Sequence, residues 1–516
     1  MKKILLALAA LAFVASSCIK TIHDPEEIDE TPAQLVSFKL LAADNDGLDA
    51  DYAPEAITET MIIRIPGGGQ GKTLKATLTA GENDEIKVND AAVADGKASF
   101  DASFPVDIVV TNTKSKKSAQ YEVKIGKILQ NVITQVGTYS EPDASMNSDI
   151  RMAVKPADNT PYILYSRKKT VDGTAESNNR LACVSWKGGA FSEVGTLGFT
   201  DVTRQAVMCD LAFNGETLYA LSYGETAANI CGLRKFDGTE WVPVGEKGFS
   251  GKVTATYGKP QLYFIDGNPG FVTTGNIGKS DPGYRNATRY NFDGTAWVKA
   301  DLIPGLPTYG EKGGSDGMFY AAVVATDSKG NVYVVTSCNQ YGYYMFNAKN
   351  GWEKLVDNYL EEGEPYGVPS SLSVKVGPGD VVYVLAAVSK KAQYQLYRYN
   401  KDAEKKLEAV AAPIQLTAGS NDTVAEPMRI AVNPVSGEIV GVYGQEKKLY
   451  FSTINENGLW NEFTAIAGTK DLAANDSFAL AFDANGNCFI SFVAKVEDAT
   501  SVELYKYGQE DDILPE

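Results

Sequence analysis

The chain holds one histidine, His23, in 516 residues, and that scarcity narrows the chemistry open to it. Ser-His-Asp and Cys-His catalysis need an imidazole as general base, and zinc or copper sites built on imidazole need several. What remains is chemistry run by carboxylates, tyrosine, lysine or arginine. The 65 acidic residues leave a glycosidase-type carboxylate pair open, although no pair is marked out by its spacing. Tyrosine is the more telling type. Tyr223, Tyr257, Tyr284, Tyr309, Tyr341, Tyr343 and Tyr366 stand in long irregular segments, with Arg204 and Arg285 nearby. A tyrosine offers a flat apolar ring and a hydroxyl that both donates and accepts, which suits a sugar. It can equally cover the inside of a β fold. The gathering of these residues in two neighbouring repeats marks Tyr284, Arg285, Tyr309, Tyr341, Tyr343 and Tyr366 as the candidate ligand-binding set. No catalytic residue, metal set or cofactor is read from the sequence.

The elements that must position this set follow from periodicity. Beyond residue 127 the chain repeats itself every 50 to 60 residues or so, a spacing that fits four-stranded propeller blades with some long loops. Each copy has a turn and a second strand: "KPADNTPYILYS", "FNGETLYALSY", "IDGNPGFVTTG", "TDSKGNVYVVTS", "GPGDVVYVLAA", "NPVSGEIVGVY" and "FDANGNCFISF". These predict seven blades. A third strand and a hairpin follow in most copies, as in "LRKFDGTEWVPVG" and "TRYNFDGTAWVKA". The seventh copy has a third strand, "VELYKYGQ", and then the chain ends without a fourth.

An orphan fourth strand stands upstream of the first blade. Its "QVGTYS" matches "EVGTLGF" and "PVGEKGF", which close repeats. Residues 132–140 are therefore expected to pair with the strand around 503–507 and close the ring, since an unclosed ring would leave an open sheet edge. In such a blade the first-to-second and third-to-fourth turns lie at one end, where the sequence is tight. The second-to-third loops and the links between blades lie at the other, where it is long, and long loops persist where they bind something.

The recurrent hairpins have structural explanations. "FDGTEW" and "FDGTAW" resemble the Asp-box of sialidase propellers, but Asp, Gly and Thr are consecutive here and the leading Ser is absent, so a tight Asp-Gly hairpin accounts for them. "DSKGN" and "DANGN" lack the ligand count of a calcium cage and read as type I turns. All five tryptophans, Trp186, Trp241, Trp297, Trp352 and Trp460, sit at or beside one repeat position. That recurrence predicts packing between blades rather than sugar platforms.

Ahead of the repeats, residues 32–127 alternate with period two in short runs such as "QLVSFKL", "TMIIRIP", "TLKATLTA", "EIKVND", "VDIVVTN" and "QYEVKIGK", separated by turn compositions. About seven strands in this length predict a small sandwich of immunoglobulin-like type. The fold class expected is all-β, an immunoglobulin-like β-sandwich at 32–127 followed by a seven-bladed β-propeller at 128–516 closed by an N-terminal strand.

The first residues are "MKK", an apolar run "ILLALAALAFV" and then "ASSC", the layout of a secretory signal removed before a cysteine. "ASSC" resembles the lipobox of bacterial lipoproteins, which implies a signal peptide at 1–17 and lipidation of Cys18. The apolar run is too short to span a bilayer, and no later segment approaches ~20 apolar residues. Residues 18–31 are polar and acidic, as expected of a tether. The other five cysteines show no CxxC and no tight spacing, and read as small apolar residues on buried strands rather than a disulfide framework or zinc site. Loss of residues 1–17 removes Lys2 and Lys3, leaving 46 basic against 65 acidic residues and a net charge of −19. Such a surface repels nucleic acid and anionic lipid, and disfavours acidic polysaccharide unless a local basic patch overrides the field.

In layout the whole chain resembles Bacteroidetes surface lipoproteins with an immunoglobulin-like spacer and a β-propeller, many of which accompany glycan-uptake systems. The resemblance implies outer-membrane location by a lipid anchor alone, facing the outside, with acidic residues soon after the lipidated cysteine. It implies a glycan as partner, with an outer-membrane transporter complex nearby, and non-catalytic binding. A protein-binding scaffold or adhesin is the first alternative; a carboxylate- or Tyr-dependent glycoside hydrolase or lyase is the second.

Overall fold

The structure is a computed structural model. It describes residues 30–141, 144–171, 174–175, 180–195, 207–223, 231–245, 260–274, 287–299, 319–338, 342–359, 372–388, 393–415, 428–455, 457–510 and 514–515. The fold is all-β, and no helix among the described residues is long and apolar enough to cross a membrane. The chain forms two compact units, one reaching to Gln130 and joined by the residues from Glu510 onward, the other Asn131–Gln509.

The first unit is two sheets around one core. Leu35–Leu40, Thr73–Ala80 and Lys97–Asp101 form an antiparallel three-stranded sheet. Thr60–Ile65, Ser118–Lys127, Val106–Asn112, Asp84–Val88 and Ala91–Ala92 form the second, in which Thr60–Ile65 runs parallel to Ser118–Lys127. Alternation does the sorting. Leu74, Ala76 and Leu78 turn inward on one sheet, Met61, Ile63 and Ile65 on the other, and both sets join one apolar cluster. Each large side chain buried there contributes roughly 1.5–3 kcal/mol. The runs quoted above are all strands; Lys97–Asp101 is a strand they do not include.

In the second unit the described residues form seven antiparallel sheets whose main strands follow sequence order. Their first strands are Ala144–Val154, Val207–Asn214, Gln261–Ile265, Phe319–Thr326, Leu372–Gly377, Met428–Val432 and Phe478–Phe482. Each first strand packs against the first strand of the next sheet, and that of the seventh packs against that of the first, so the neighbour relations form a cycle. All seven turn-and-strand segments identified by repetition supply second strands.

The seventh sheet is completed from upstream. Asn131–Tyr139 pairs antiparallel with Ala499–Gln509, from Gln509↔Asn131 to Val502↔Tyr139. Glu503, fully buried, fixes this register with side chains: it accepts from Gln135 Nε2 at 2.8 Å, Thr138 Oγ1 at 2.6 Å and Ser501 Oγ at 2.6 Å, and meets Lys470 Nζ at 2.6 Å. Burial pushes its carboxyl up, but the bonds from Lys470, Ser501 and Thr138 outweigh this and hold it below its ordinary value.

The repeated Val-Gly of the fourth-strand ends now has a cause. Trp241 Nε1 donates to Val194 O at 2.9 Å, and Trp297 Nε1 donates to Val244 O at 3.1 Å, each bond joining one sheet to the next. The glycine that follows each valine lies against the same ring: a Cβ on Gly195 would stand 3.1 Å from Trp241 Cδ1, and one on Gly245 3.3 Å from Trp297 Cδ1. At Gly137, on the strand from upstream, a Cβ would come within 2.8 Å of Trp186 Cη2 and 2.9 Å of Phe191 Cε2. The strand that completes the seventh sheet therefore sets its glycine against the tryptophan of the first. Packing between sheets, as the recurrence predicts, is what these tryptophans do.

Candidate functional site

The two ends of the seven sheets differ. At one end the turns are short and closed by their own side chains. Asp237 Oδ1 accepts from the backbone N–H of Thr239 and of Glu240, both at 2.8 Å, and Asp293 does the same with Thr295 and Ala296. These backbone bonds hold both carboxyls below their ordinary values. Asp327 and Asp483, of "DSKGN" and "DANGN", each take two backbone amides and a side-chain amide, from Asn331 and Asn487 respectively. Their oxygens are committed to the turn, which is the turn assignment made from the residues. At the opposite end the chain crosses from second to third strands and from sheet to sheet. The second strands end there and the third strands begin there, as with Asn268–Thr274 and Ala287–Phe292.

Tyr284, Arg285, Tyr309, Tyr341 and Tyr366 lie outside the described residues, as does Cys18. Tyr343 is described and stands elsewhere than expected. It belongs to the strand Gly342–Asn347, paired with Ser337 and Tyr359, and is 6% exposed in a core with Val335, Met345 and Val356. The strand begins one residue before it, at Gly342, so its ring packs between strands. Cys183 and Cys488 are buried free thiols, as expected of the strand cysteines, and burial pushes both well above the ordinary thiol value.

Where the upstream strand hands over to the first sheet, Glu141 is buried against three partners. Arg167 Nε approaches its Oε2 at 2.8 Å, Lys169 Nζ its Oε1 at 2.5 Å, and Tyr165 donates to it at 3.2 Å. Tyr139 donates to Glu193 at 3.2 Å, and burial pushes its hydroxyl up to about 12. The space beside these groups, about 10 Å³, admits a water and no substrate. Glu141 and its two cations form a structural ion cluster.

At the short-turn end, a groove of about 320 Å³ lies between the first and second sheets. Tyr162, Phe213 and Phe236 supply its apolar walls, with Lys155, Glu216 and Lys235 at its rim. Tyr162 and Phe213 meet edge to face, ring centroids 5.3 Å apart, and Lys155 Nζ bridges the sheets to Glu216 at 3.0 Å. Its volume lies at the lower bound of small-molecule sites, and partly exposed rings beside paired charges can take the apolar face and the hydroxyls of one sugar ring. Sequence reasoning missed this groove because its walls come from two repeats and from turns that each look tight.

No family model matches the chain, and no curated protein matches it. Solved structures similar to it include a DUF4623 family protein from Bacteroides eggerthii, 11% identical, covering 93% of this chain and 99% of that one at a TM-score of 0.32. Another is AofleA from Arthrobotrys oligospora, 12% identical, covering 67% and 92% at a TM-score of 0.40. A third is the SapL1 lectin in complex with alpha methyl fucoside, 11% identical, covering 63% and 98% at a TM-score of 0.38.

Proposed function

We propose that this chain is a lipid-anchored outer-membrane protein, facing the cell exterior, that binds glycan without turning it over. Residues 18–31 tether Cys18 to an immunoglobulin-like spacer, and a seven-bladed β-propeller closed by residues 131–139 presents the site. The observation that carries the functional part is the asymmetry of the two sheet ends. One is closed by short turns whose carboxylates are used up by backbone amides. The other is taken to receive the long segments of sequence between strands, and with them Tyr284, Arg285, Tyr309, Tyr341 and Tyr366.

Stacking by two or three tyrosines at ~1 kcal/mol each, beyond simple burial, gives weak to moderate affinity. That suits a surface protein that passes its glycan on. The net charge favours a neutral or basic glycan at that end. A glycan array probed with the purified protein tests the reading: retention of a set of neutral glycans with no change in their mass is expected, and turnover of any member overturns the non-catalytic assignment.

A further inference from the structure

At the short-turn end, neighbouring sheets are tied through the turns between their first and second strands. Asn214 Nδ2 donates to Gly267 O at 2.8 Å between the second and third sheets, and Asn433 Nδ2 to Gly486 O at 3.1 Å between the sixth and seventh. Between the fourth and fifth, Ser328 donates to Asp380 from its backbone N–H and its hydroxyl, both at 3.0 Å. Between the first and second sheets two long side chains make the tie instead, Lys155 Nζ to Glu216 Oε2 at 3.0 Å. The turn that carries Lys155, residues 155–160, is also bonded on its other side, where the backbone N–H of Ala484 donates to Asn159 Oδ1 at 3.0 Å. The aromatic pair is the same at two of these steps: Tyr162 meets Phe213 at 5.3 Å and Tyr219 meets Phe264 at 5.2 Å. Where Asn214 joins the turns directly they stand close, and where Lys155 spans them the groove of about 320 Å³ lies between.

The walls of this groove are braced by their own sheets. Phe236 packs on Trp241 with ring centroids 5.5 Å apart, and Trp241 is fixed in turn by its bond to Val194 O at 2.9 Å. A ligand therefore does not have to order the rings it meets. The charged groups lining the groove are Lys155 and Lys235 against Glu216 and Asp237, two of each sign, so the field there selects neither an anion nor a cation. Asp237 is committed to the backbone amides of Thr239 and Glu240. Lys155 takes one oxygen of Glu216, which leaves Oε1 as an acceptor, and Lys235 is exposed at the rim as a donor.

We infer that this groove is a second carbohydrate site, for one neutral pyranose whose apolar face lies on Tyr162, with one hydroxyl donating to Glu216 Oε1 and another accepting from Lys235 Nζ. An aromatic face beside a donor and an acceptor is what the two sides of a sugar ring require. One ring and two hydrogen bonds hold it in the millimolar range, too weakly for retention on an array. The site stands on its own geometry and is independent of the tyrosines assigned to the opposite end of the sheets.

Saturation-transfer difference NMR of the full chain with millimolar methyl α-D-glucopyranoside, methyl α-D-galactopyranoside and methyl α-D-mannopyranoside tests the assignment. Saturable binding of at least one is expected, and it should persist when Tyr309→Ala and Tyr341→Ala are combined. Tyr162→Ala should weaken it about fivefold or more. Lys235→Ala, at an exposed position, should weaken it by a similar factor with an unchanged melting curve, which a merely structural role for the groove would not produce. Absence of binding to all three glycosides would overturn the groove site while leaving the array result at the other end intact. Binding that is lost in the Tyr309→Ala, Tyr341→Ala variant and kept in Tyr162→Ala, or unchanged affinity in Lys235→Ala, would also overturn it. D-glucosamine or D-glucuronate binding about tenfold tighter than the neutral glucoside would overturn the assignment to a neutral sugar.

Discussion

Single residues in this molecule are constrained by the sheet beside them. Gly195 combines a φ of +77° with a ring against its Cα, so Gly195→Ala meets both a left-handed backbone and Trp241. It should cost about 2 kcal/mol or more, read as a lower midpoint in urea denaturation. Trp241→Phe leaves Val194 O without its donor and a smaller ring in a buried site, for about 2 kcal/mol or more. Glu503 predicts a pH dependence. Its folded carboxyl lies below the ordinary value of 4.5, so its contribution is present above that value and lost as pH falls through the folded one. Glu503→Gln should flatten the acid limb of the stability profile below about pH 4.5, and an unchanged limb would remove this residue from the closure.

Elements were legible where local pattern sufficed and hidden where contact is made at a distance. Second strands announced themselves through a turn followed by alternation, as in "TDSKGNVYVVTS", and the orphan 132–140 was recognisable because its Val-Gly repeats a strand end whose glycine must admit a neighbour's tryptophan. Lys97–Asp101 escaped because only Ala98 and Phe100 mark its inward face. Tyr343 was placed in a loop because "CNQYGYY" has no alternation to show where the strand resumes. The groove at Tyr162 draws its walls from two consecutive sheets, Tyr162 from one and Phe213 and Phe236 from the next, and no short window along the chain contains them. Deletion of residues 128–140 tests the element that matters most. It removes the partner of Ala499–Gln509 and the surface against which Trp186 packs, so the transition of Asn131–Gln509 should move to lower temperature. A variant that melts like the parent would contradict closure by this strand.

At the scale of the whole molecule an anchor at Cys18, a spacer and a binding unit are proposed. Cys18→Ala should release the protein from the membrane fraction, because the tether has no amphipathic face to substitute for the lipid; unchanged fractionation would remove the anchor from the account. The binding claim is central, and calorimetry on a glycan retained by the array tests it most directly, with Tyr309→Ala, Tyr341→Ala and Tyr162→Ala measured beside the parent. Loss of one stacking ring at ~1 kcal/mol corresponds to roughly fivefold in affinity. Weakening of about that size in Tyr309→Ala and Tyr341→Ala, with Tyr162→Ala unchanged, is the predicted result. Binding that survives both and fails in Tyr162→Ala would contradict the long-loop site and move it to the groove between the first and second sheets.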